Sequence, residues 1–348
     1  MSNDKLAIPR RDAEAALEAY DTGPVLFIRP GAGTANPAVI VVTKKGQYFL
    51  KLRNPRYSSR GQLTFDHEVI RRLHQAGLPV TPPVRTRNGS RWLQWDRDVY
   101  ELYPLIEGDD HVPGNVEQIR AAGAVLGGIH RRTESLDPGD GKRPVRLHAP
   151  SAILRGLRWA FEEARRTGDG NAETRIRELM DVAEGLSRRL PDAAYWALPQ
   201  CIIHGDYHPA NLKFSGSDVV GVFDFDWVGR GPRMVDLADG VLFFGGERSL
   251  PTEAGDIVAL TQSFNLRQEW IGAFGAGYGA HIAPQPQELK ALPDLLRCRW
   301  MFCRVDAMER KVAPEEKLSY LLQDITEPLL QIDALEGWLT SGEWLRQG

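Results

Sequence analysis

Residues 201–227 constrain this chain more than any other stretch. In CIIHGDYHPANLKF (201–214), the apolar runs Cys201–Ile203 and Leu212–Phe214 flank a polar loop that holds His204, Asp206, His208 and Asn211. The segment VVGVFDFDW (219–227) follows, and its strand-like run Val219–Phe223 delivers Asp224 at its end. Gly216 and Asp218 suit a tight turn between the two runs. Anchored on both sides, the loop brings Asp206, Asn211 and Asp224 to one lip, and the rest of the chain must form a body that carries it.

That body has two characters. Before about residue 106 the pattern is strand-rich. A short amphipathic helix over 11–20 and a strand over Val25–Arg29 come first, followed by the turn-rich loop PGAGTANP (30–37). The runs AVIVV and QYFLKLR, joined at Lys44, Lys45 and Gly46, read as a hairpin. Residues 64–76 place Phe65, Val69, Ile70 and Leu73 on one helical face, with Gly77 as C-cap. Residues 91–105 hold two more strands, the second ending in YELYPLIEG. After residue 106 helices dominate. Residues 116–132 put Ile119, Ala122, Leu126 and Ile129 on one face, 150–189 hold two more helices, and helices return from 252 onward. We therefore expect an α+β architecture, with an N-terminal lobe over 1–105, a connection near 101–107 and a helical lobe over 106–348.

Composition narrows the class. A chain of 348 residues fits two domains or one large two-lobed one. With 42% apolar and 26% charged residues it is an ordinary folded protein. Lys+Arg 43 against Asp+Glu 46 gives a formal net charge of -3, which supports neither a nucleic-acid partner nor a polybasic membrane anchor. Three cysteines, Cys201, Cys298 and Cys303, make no disulfide framework and fit a reducing compartment. The first twenty residues lack the apolar core of a signal peptide. The longest charge-free apolar stretch, about 270–283, is too short and glycine-rich to span a bilayer. Its Gly275 and Gly279 read as close helix packing. The expected location is the cytoplasm. Oligomeric state is not legible.

The chemistry follows from the donor set. One carboxylate and one amide suit Mg²⁺ held jointly with substrate phosphates. A second carboxylate, five residues before the amide, is placed to accept a hydroxyl proton, as phosphoryl transfer requires. Other readings exist. His204 and His208 stand four apart like a zinc pair, but Gly205 and Pro209 disfavour a helix there and no third ligand is near. Asp224 and Asp226 are also plausible turn or capping carboxylates.

HGDYHPAN resembles the H-G-D-x-x-x-x-N catalytic loop of the aminoglycoside phosphotransferase and choline kinase family, a small-molecule branch of the protein-kinase fold. GVFDFDWVGRGPRMVDLAD resembles the continuation that follows it there. The resemblance implies a two-lobed kinase-like fold, with a small antiparallel-sheet lobe and a large helical lobe. It implies Asp206 as catalytic base, Asn211 and Asp224 as Mg²⁺ ligands, and His204 as a scaffold residue of the loop. Asp236 would brace the loop from the next helix, and Asp226 would assist metal or substrate. On the small lobe it implies Lys51 as the phosphate-binding lysine and Glu68 as the helix glutamate that pairs with it. YELYPLIEG resembles the hinge, with adenine bonding to backbone near Glu101 and Tyr103. PGAGTANP departs from G-x-G-x-x-G, so it stands as either a phosphate loop or a plain turn. LGGIHR resembles the first large-lobe helix, with His130 structural. The serine-containing linker and GLPVTPP (77–83) resemble the homoserine-kinase-like and stress-response-kinase-like branches.

The implied activity is ATP- and Mg²⁺-dependent transfer of the γ-phosphate to a small-molecule hydroxyl: an amino sugar, an amino alcohol or homoserine. A serine/threonine protein kinase of the stress-response type and a nucleotide-binding pseudokinase are the alternatives. The segment between Asp224 and Asp236 is short for a protein kinase, and the intact set Lys51, Asp206, Asn211 and Asp224 argues against a pseudokinase. RCRWMFCRVDAMER (297–310) offers Trp300, Arg304 and Asp306 either as acceptor wall or as core. Asp226, Trp227, Asp239 and Glu107–Asp110 are further wall candidates. Acidic residues there would favour a cationic acceptor and arginines a carboxylate-bearing one, and both are present.

Overall fold

The computed structural model of the chain describes residues 8–31, 36–249, 259 and 261–346. Residues 32–35 of the loop 30–37 therefore lie outside the described residues, while Pro30, Gly31, Asn36 and Pro37 are within them. Strands β1 (Val25–Pro30), β2 (Ala38–Thr43), β3 (Gln47–Leu52), β4 (Leu93–Trp95) and β5 (Asp98–Pro104) form one antiparallel sheet in the order β1-β2-β3-β5-β4. The hairpin expected around Gly46 is β2–β3, with Val42 opposite Gln47. Strand β5 lies against β3, pairing Lys51 with Glu101 and Phe49 with Tyr103. Helix α1 (Arg10–Leu17) packs Ala13, Ala16 and Leu17 against Val39, Val41, Leu50 and Leu102 of the sheet.

Helix α2 (Arg60–Gln75) starts four residues earlier than its apolar face alone predicts. The reason is a capping box: Ser59 accepts from the Gln62 N–H, and the Gln62 side chain returns to Ser59. Its apolar face, Phe65, Val69, Ile70 and Leu73, belongs to the large helical core and not to the cluster under the sheet. Full burial of such side chains contributes about 1.5–3 kcal/mol each.

The helical part comprises α3 (Val116–Thr133), α4 (Pro150–Thr167), α5 (Gly170–Arg189), α6 (Asp192–Trp196), α7 (Met234–Phe244), α8 (Gln268–Gly279), α9 (Pro286–Arg310), α10 (Lys317–Leu322) and α11 (Thr326–Ser341). Helices α3 and α8 touch backbone to backbone. A Cβ on Gly277 would lie 2.0 Å from the Arg120 carbonyl oxygen, so only glycine fits there. The glycines read as a close-packing pair, Gly275 and Gly279, face Trp344 and Leu345 near the C-terminus. Among the described residues no helix is long and apolar enough to cross a membrane.

Between these parts lie two small ladders, β6 (Gln200–Ile203) with β9 (Gly229–Pro232) and β7 (Leu212–Ser215) with β8 (Asp218–Val222). The second is tied to the segment after α2, because the Val222 N–H donates to the Pro79 carbonyl at 2.7 Å. It is also tied to the segment after β5, because Asp109 and Phe214 exchange backbone bonds at 2.7 and 2.9 Å.

Candidate active site

The polar loop between β6 and β7 is fixed through its backbone. Gly205 sits at φ 81, a left-handed conformation natural to glycine. Asp236, on the first turn of α7 and fully buried, accepts the N–H of His204 at 2.6 Å and of Gly205 at 2.7 Å. His130 on α3 holds Asp236 in turn, with Nε2 at 3.0 Å, and takes the Tyr278 hydroxyl on its other nitrogen. His204 accepts the Asp206 N–H on Nδ1 and faces the Phe223 carbonyl with Nε2 at 2.7 Å. Both ring nitrogens are thus engaged, which leaves nothing for the zinc reading. His204, Asp236 and His130 form one hydrogen-bonded chain behind the loop backbone.

The loop converges on one point. Asn211 Nδ2 donates to the Asp206 carbonyl at 2.9 Å, and the Asn211 carbonyl accepts the Phe223 N–H at 3.0 Å, one residue before Asp224. That first bond turns the Asn211 Oδ1 the other way, where no protein donor meets it among the described residues. Asp224 sits at φ 59, ψ 61, a strained backbone for a non-glycine residue, in a kink that ends β8. Its Oδ1 meets the Lys51 Nζ at 2.8 Å. Lys51 bonds Asp226 Oδ1 as well, also at 2.8 Å. The two carboxylates hold the buried ammonium charged: burial opposes this, and Asp224 and Asp226 outweigh it. Asp226 also accepts Asn36 Nδ2 at 2.8 Å, so the one described residue of the 32–36 stretch reaches the site.

Glu68 is not the partner of Lys51. It lies on the outer face of α2 and binds Arg71 and Arg72, whose hydrogen bonds lower its pKa to about 2. The inward carboxylate of α2 is Asp66, fully buried, which meets Arg53 at 2.7 Å and Lys142 at 2.6 Å. Arg53 continues to Glu101 at 3.1 Å and approaches Asp226 at 3.5 Å, while Lys142 donates to the carbonyls of Asp226 and Val228. The helix therefore acts on the site through Arg53, Lys142 and Asp226. The sequence held a signal for this: Asp66 precedes Val69, Ile70 and Leu73 by three, four and seven residues, which is the buried stripe itself.

The backbone of Glu101 and Tyr103, expected to meet adenine, is engaged within the sheet. The Leu105 N–H bonds the Gln47 carbonyl. Antiparallel alternation then directs the backbone groups of Tyr103 and Glu101 to β3 as well. Their side chains are committed too, Glu101 to Arg53 and His67 and the Tyr103 hydroxyl to Glu101 at 3.0 Å. Backbone available to a base begins after Pro104, at Ile106 and Glu107, which make no backbone hydrogen bond among the described residues.

Around Asp206 stand His208 of its own loop and Arg299, which lies outside both motifs. Its Oδ1 accepts from Arg299 at 3.0 Å, and its Oδ2 lies 3.4 Å from His208 Nε2. Burial opposes its ionisation, but His208, Arg299 and His204 hold its carboxyl well below the usual carboxylate range. Arg299, on α9, also meets Asp239 at 2.6 Å and His148 at 3.0 Å. Of the wall candidates on that helix, Trp300 and Arg304 are core: Trp300 donates to the Ile325 carbonyl at 2.8 Å, and Arg304 to carbonyls of Thr261, Tyr320 and Gln323. Asp306 instead lines a cavity of about 220 Å³ with His148, Arg155, Trp227, Glu309 and Arg310. Burial raises its pKa against the pull of Arg310, which it meets at 2.8 Å.

Residues 27–292 match the model of a family described as the phosphotransferase enzyme family. A homoserine kinase of Pseudomonas aeruginosa is 30% identical over 234 residues, 66% of this chain and 69% of that protein. Among solved structures, a microcompartment-associated aminopropanol kinase superposes with a TM-score of 0.70 at 18% identity, over 97% of this chain and 99% of that one. An amicoumacin kinase in complex with AMP-PNP and Ca²⁺ superposes with a TM-score of 0.67 at 17% identity, over 97% and 95%. These two likenesses concern the fold, and they bear out the kinase-like two-lobed architecture.

Proposed function

The chain belongs to the phosphotransferase enzyme family and is a kinase with a small-molecule hydroxyl as acceptor; from that premise we propose that it moves the γ-phosphate of Mg·ATP onto the alcohol of a small amino alcohol or hydroxy amino acid of the homoserine kind. The observation that carries the reading is the convergence of Lys51, Asp224, Asn211 and Asp206 through bonds of 2.8–3.0 Å at one lip between sheet and helices.

In this reading Asp224 and the outward Oδ1 of Asn211 hold Mg²⁺. Both are hard oxygen donors, and neither belongs to a closed protein cage, which suits an ion shared with phosphates. The ion would supply charge neutralisation on the phosphate oxygens. Lys51 leaves Asp224 for the phosphates while Asp226 keeps its ammonium aimed. The base packs against backbone near Ile106 and Glu107. Asp206, partly open and anionic, orients the acceptor hydroxyl and takes its proton as the phosphoryl group transfers.

The cavity beside Trp227 and His148 supports the acceptor class. It carries acidic Asp306 and Glu309 and basic Arg155 and Arg310, so it suits an ammonium and a carboxylate on one small molecule. The homoserine kinase likeness points the same way. The chain also passes from Asp224 to α7 through residues 225–233 alone, with no long segment of the kind a protein substrate docks on.

The test is ADP release measured with homoserine, aminopropanol, amino sugars and a generic protein substrate, on wild type and Asp206→Asn. One amine-bearing alcohol should give turnover. Asp206→Asn should lose about 10³-fold in kcat, with nucleotide affinity kept, because the carboxylate acts mainly in the transition state. Full turnover by that variant would remove Asp206 from its role, and turnover with the protein substrate alone would remove the acceptor class.

A further inference from the structure

The bonds that fix the catalytic loop fix its backbone only. Asp236 takes two N–H groups, His204 takes a third, and Asn211 holds the Asp206 carbonyl. None touches the Asp206 carboxylate. Rotation of an aspartate about its last side-chain bond is broad and roughly two-fold, so a braced backbone does not decide which oxygen meets a hydroxyl. Two groups reach the carboxylate: Arg299, 93 residues away, bonds Oδ1 at 3.0 Å, and His208 of the loop itself stands off at 3.4 Å from Oδ2, so the shorter grip is that of Arg299.

Arg299 is itself immobilised in three directions. Nε lies 2.6 Å from Asp239 Oδ1, NH1 meets His148 Nε2 at 3.0 Å, and the guanidinium lies 5.1 Å from the centre of the Phe243 ring. Asp239 is tied back to the loop, because its Oδ2 accepts the Tyr207 N–H at 3.3 Å. His148, neutral because burial and the Arg299 charge both depress its pKa, presents a lone pair to the guanidinium. The planar fork bonds Asp206 and His148 through two separate nitrogens, with Asp239 beside Nε as an ion pair outside hydrogen-bond geometry, an arrangement that a lysine ammonium on a flexible stem does not reproduce.

Building on the kinase reading above, we infer that Arg299 is the positioning residue of the base: it pins Oδ1 of Asp206 and so assigns Oδ2, on the His208 side, as the oxygen that receives the acceptor proton. Arg299 keeps this bond throughout turnover and touches neither nucleotide nor acceptor. His148 and Asp239 serve by aiming Arg299.

The experiment is a double-mutant cycle of Arg299→Lys and Asp206→Asn, with kcat, the KM for ATP and ADP affinity measured well below each variant's melting temperature. Arg299→Lys keeps the charge and loses the fork. Its kcat should fall about 10–100-fold, the size expected for a reacting group misplaced by about 1 Å. ADP affinity and the KM for ATP should stay within about twofold, and in the Asp206→Asn background the same change should cost less than about twofold, because residues acting as one unit are not additive. Equal losses in both backgrounds, a parallel loss of ADP affinity, or an unchanged kcat would overturn the proposal. Should Arg299→Lys fail to fold, His148→Asn carries the test. His148 sits at φ 52, a backbone asparagine accepts. A smaller kcat loss with unchanged ADP affinity is expected, and a wild-type kcat would overturn the proposal. An Asp206→Asn enzyme of full activity would instead refute the base assignment itself, so the two failures are told apart.

Discussion

Lys51 and Arg299 are both buried cations, and each holds an aspartate of the site, yet they are held in opposite ways. Lys51 is a point charge on a flexible stem, shared between Asp224 and Asp226 at 2.8 Å each. Arg299 is a rigid fork wedged among Asp206, Asp239 and His148. In the proposed reaction the first contact is given up when phosphates arrive, and the second survives. The difference teaches that residue type follows the lifetime of the bond: lysine where a partner is exchanged, arginine where geometry is fixed.

The contrast breaks most readily at Lys51. Lys51→Met should lower kcat/KM for ATP by about 10²–10³-fold, the size seen when one donor to a developing oxyanion is removed. A variant that lost melting temperature while keeping kcat/KM would make Lys51 a fixed structural cation like Arg299. The next effect is on folding. Asp66→Asn strips the carboxylate from Arg53 and Lys142, and removing one partner of a buried pair costs about 3–5 kcal/mol, to be read by urea unfolding. A loss under 1 kcal/mol, as for a surface pair, would show that α2 is not clamped there. The smallest effect is expected from Glu68→Gln, within about 0.5 kcal/mol and about twofold in kcat/KM for ATP, as for a surface position. A tenfold drop would return Glu68 to the role its motif implied.

Legibility divides along the same line. The loop residues Asp206, Asn211 and Asp224 sit in one short segment, and a lysine ending a hairpin is visible by position. The strands around Gly46 and the helical runs at 116–133 and 150–189 are periodic and local, so they too can be read directly. What escaped was long-range or inward. Asp66 and Arg299 are charged residues at apolar spacing: Arg299 lies three and four residues after Leu296 and Leu295 and four before Cys303. A charge on a buried stripe must be paired, and that rule, applied to the helical pattern, flags both. It does not name the partner, since Asp206 is 93 positions distant. Within the expected connection near 101–107, the engagement of Glu101 and Tyr103 with β3 is not legible for a different reason: backbone committed to a neighbouring strand leaves no trace in side-chain chemistry. The capping box at Ser59 and Gln62 is a local signal, a serine three residues before a glutamine.

The allegiance of α2 has a consequence for anyone who would cut this molecule in two. Phe65, Val69, Ile70 and Leu73 share their shelter with Leu126, Ile153 and Leu157, not with Leu50 and Leu102. A fragment ending at residue 105 would carry away a helix stripped of its bed, four greasy side chains facing water, and would stick to itself. Because α2 is threaded between β3 and β4 of the same sheet, no single cut separates the strands from the helix and leaves both packed.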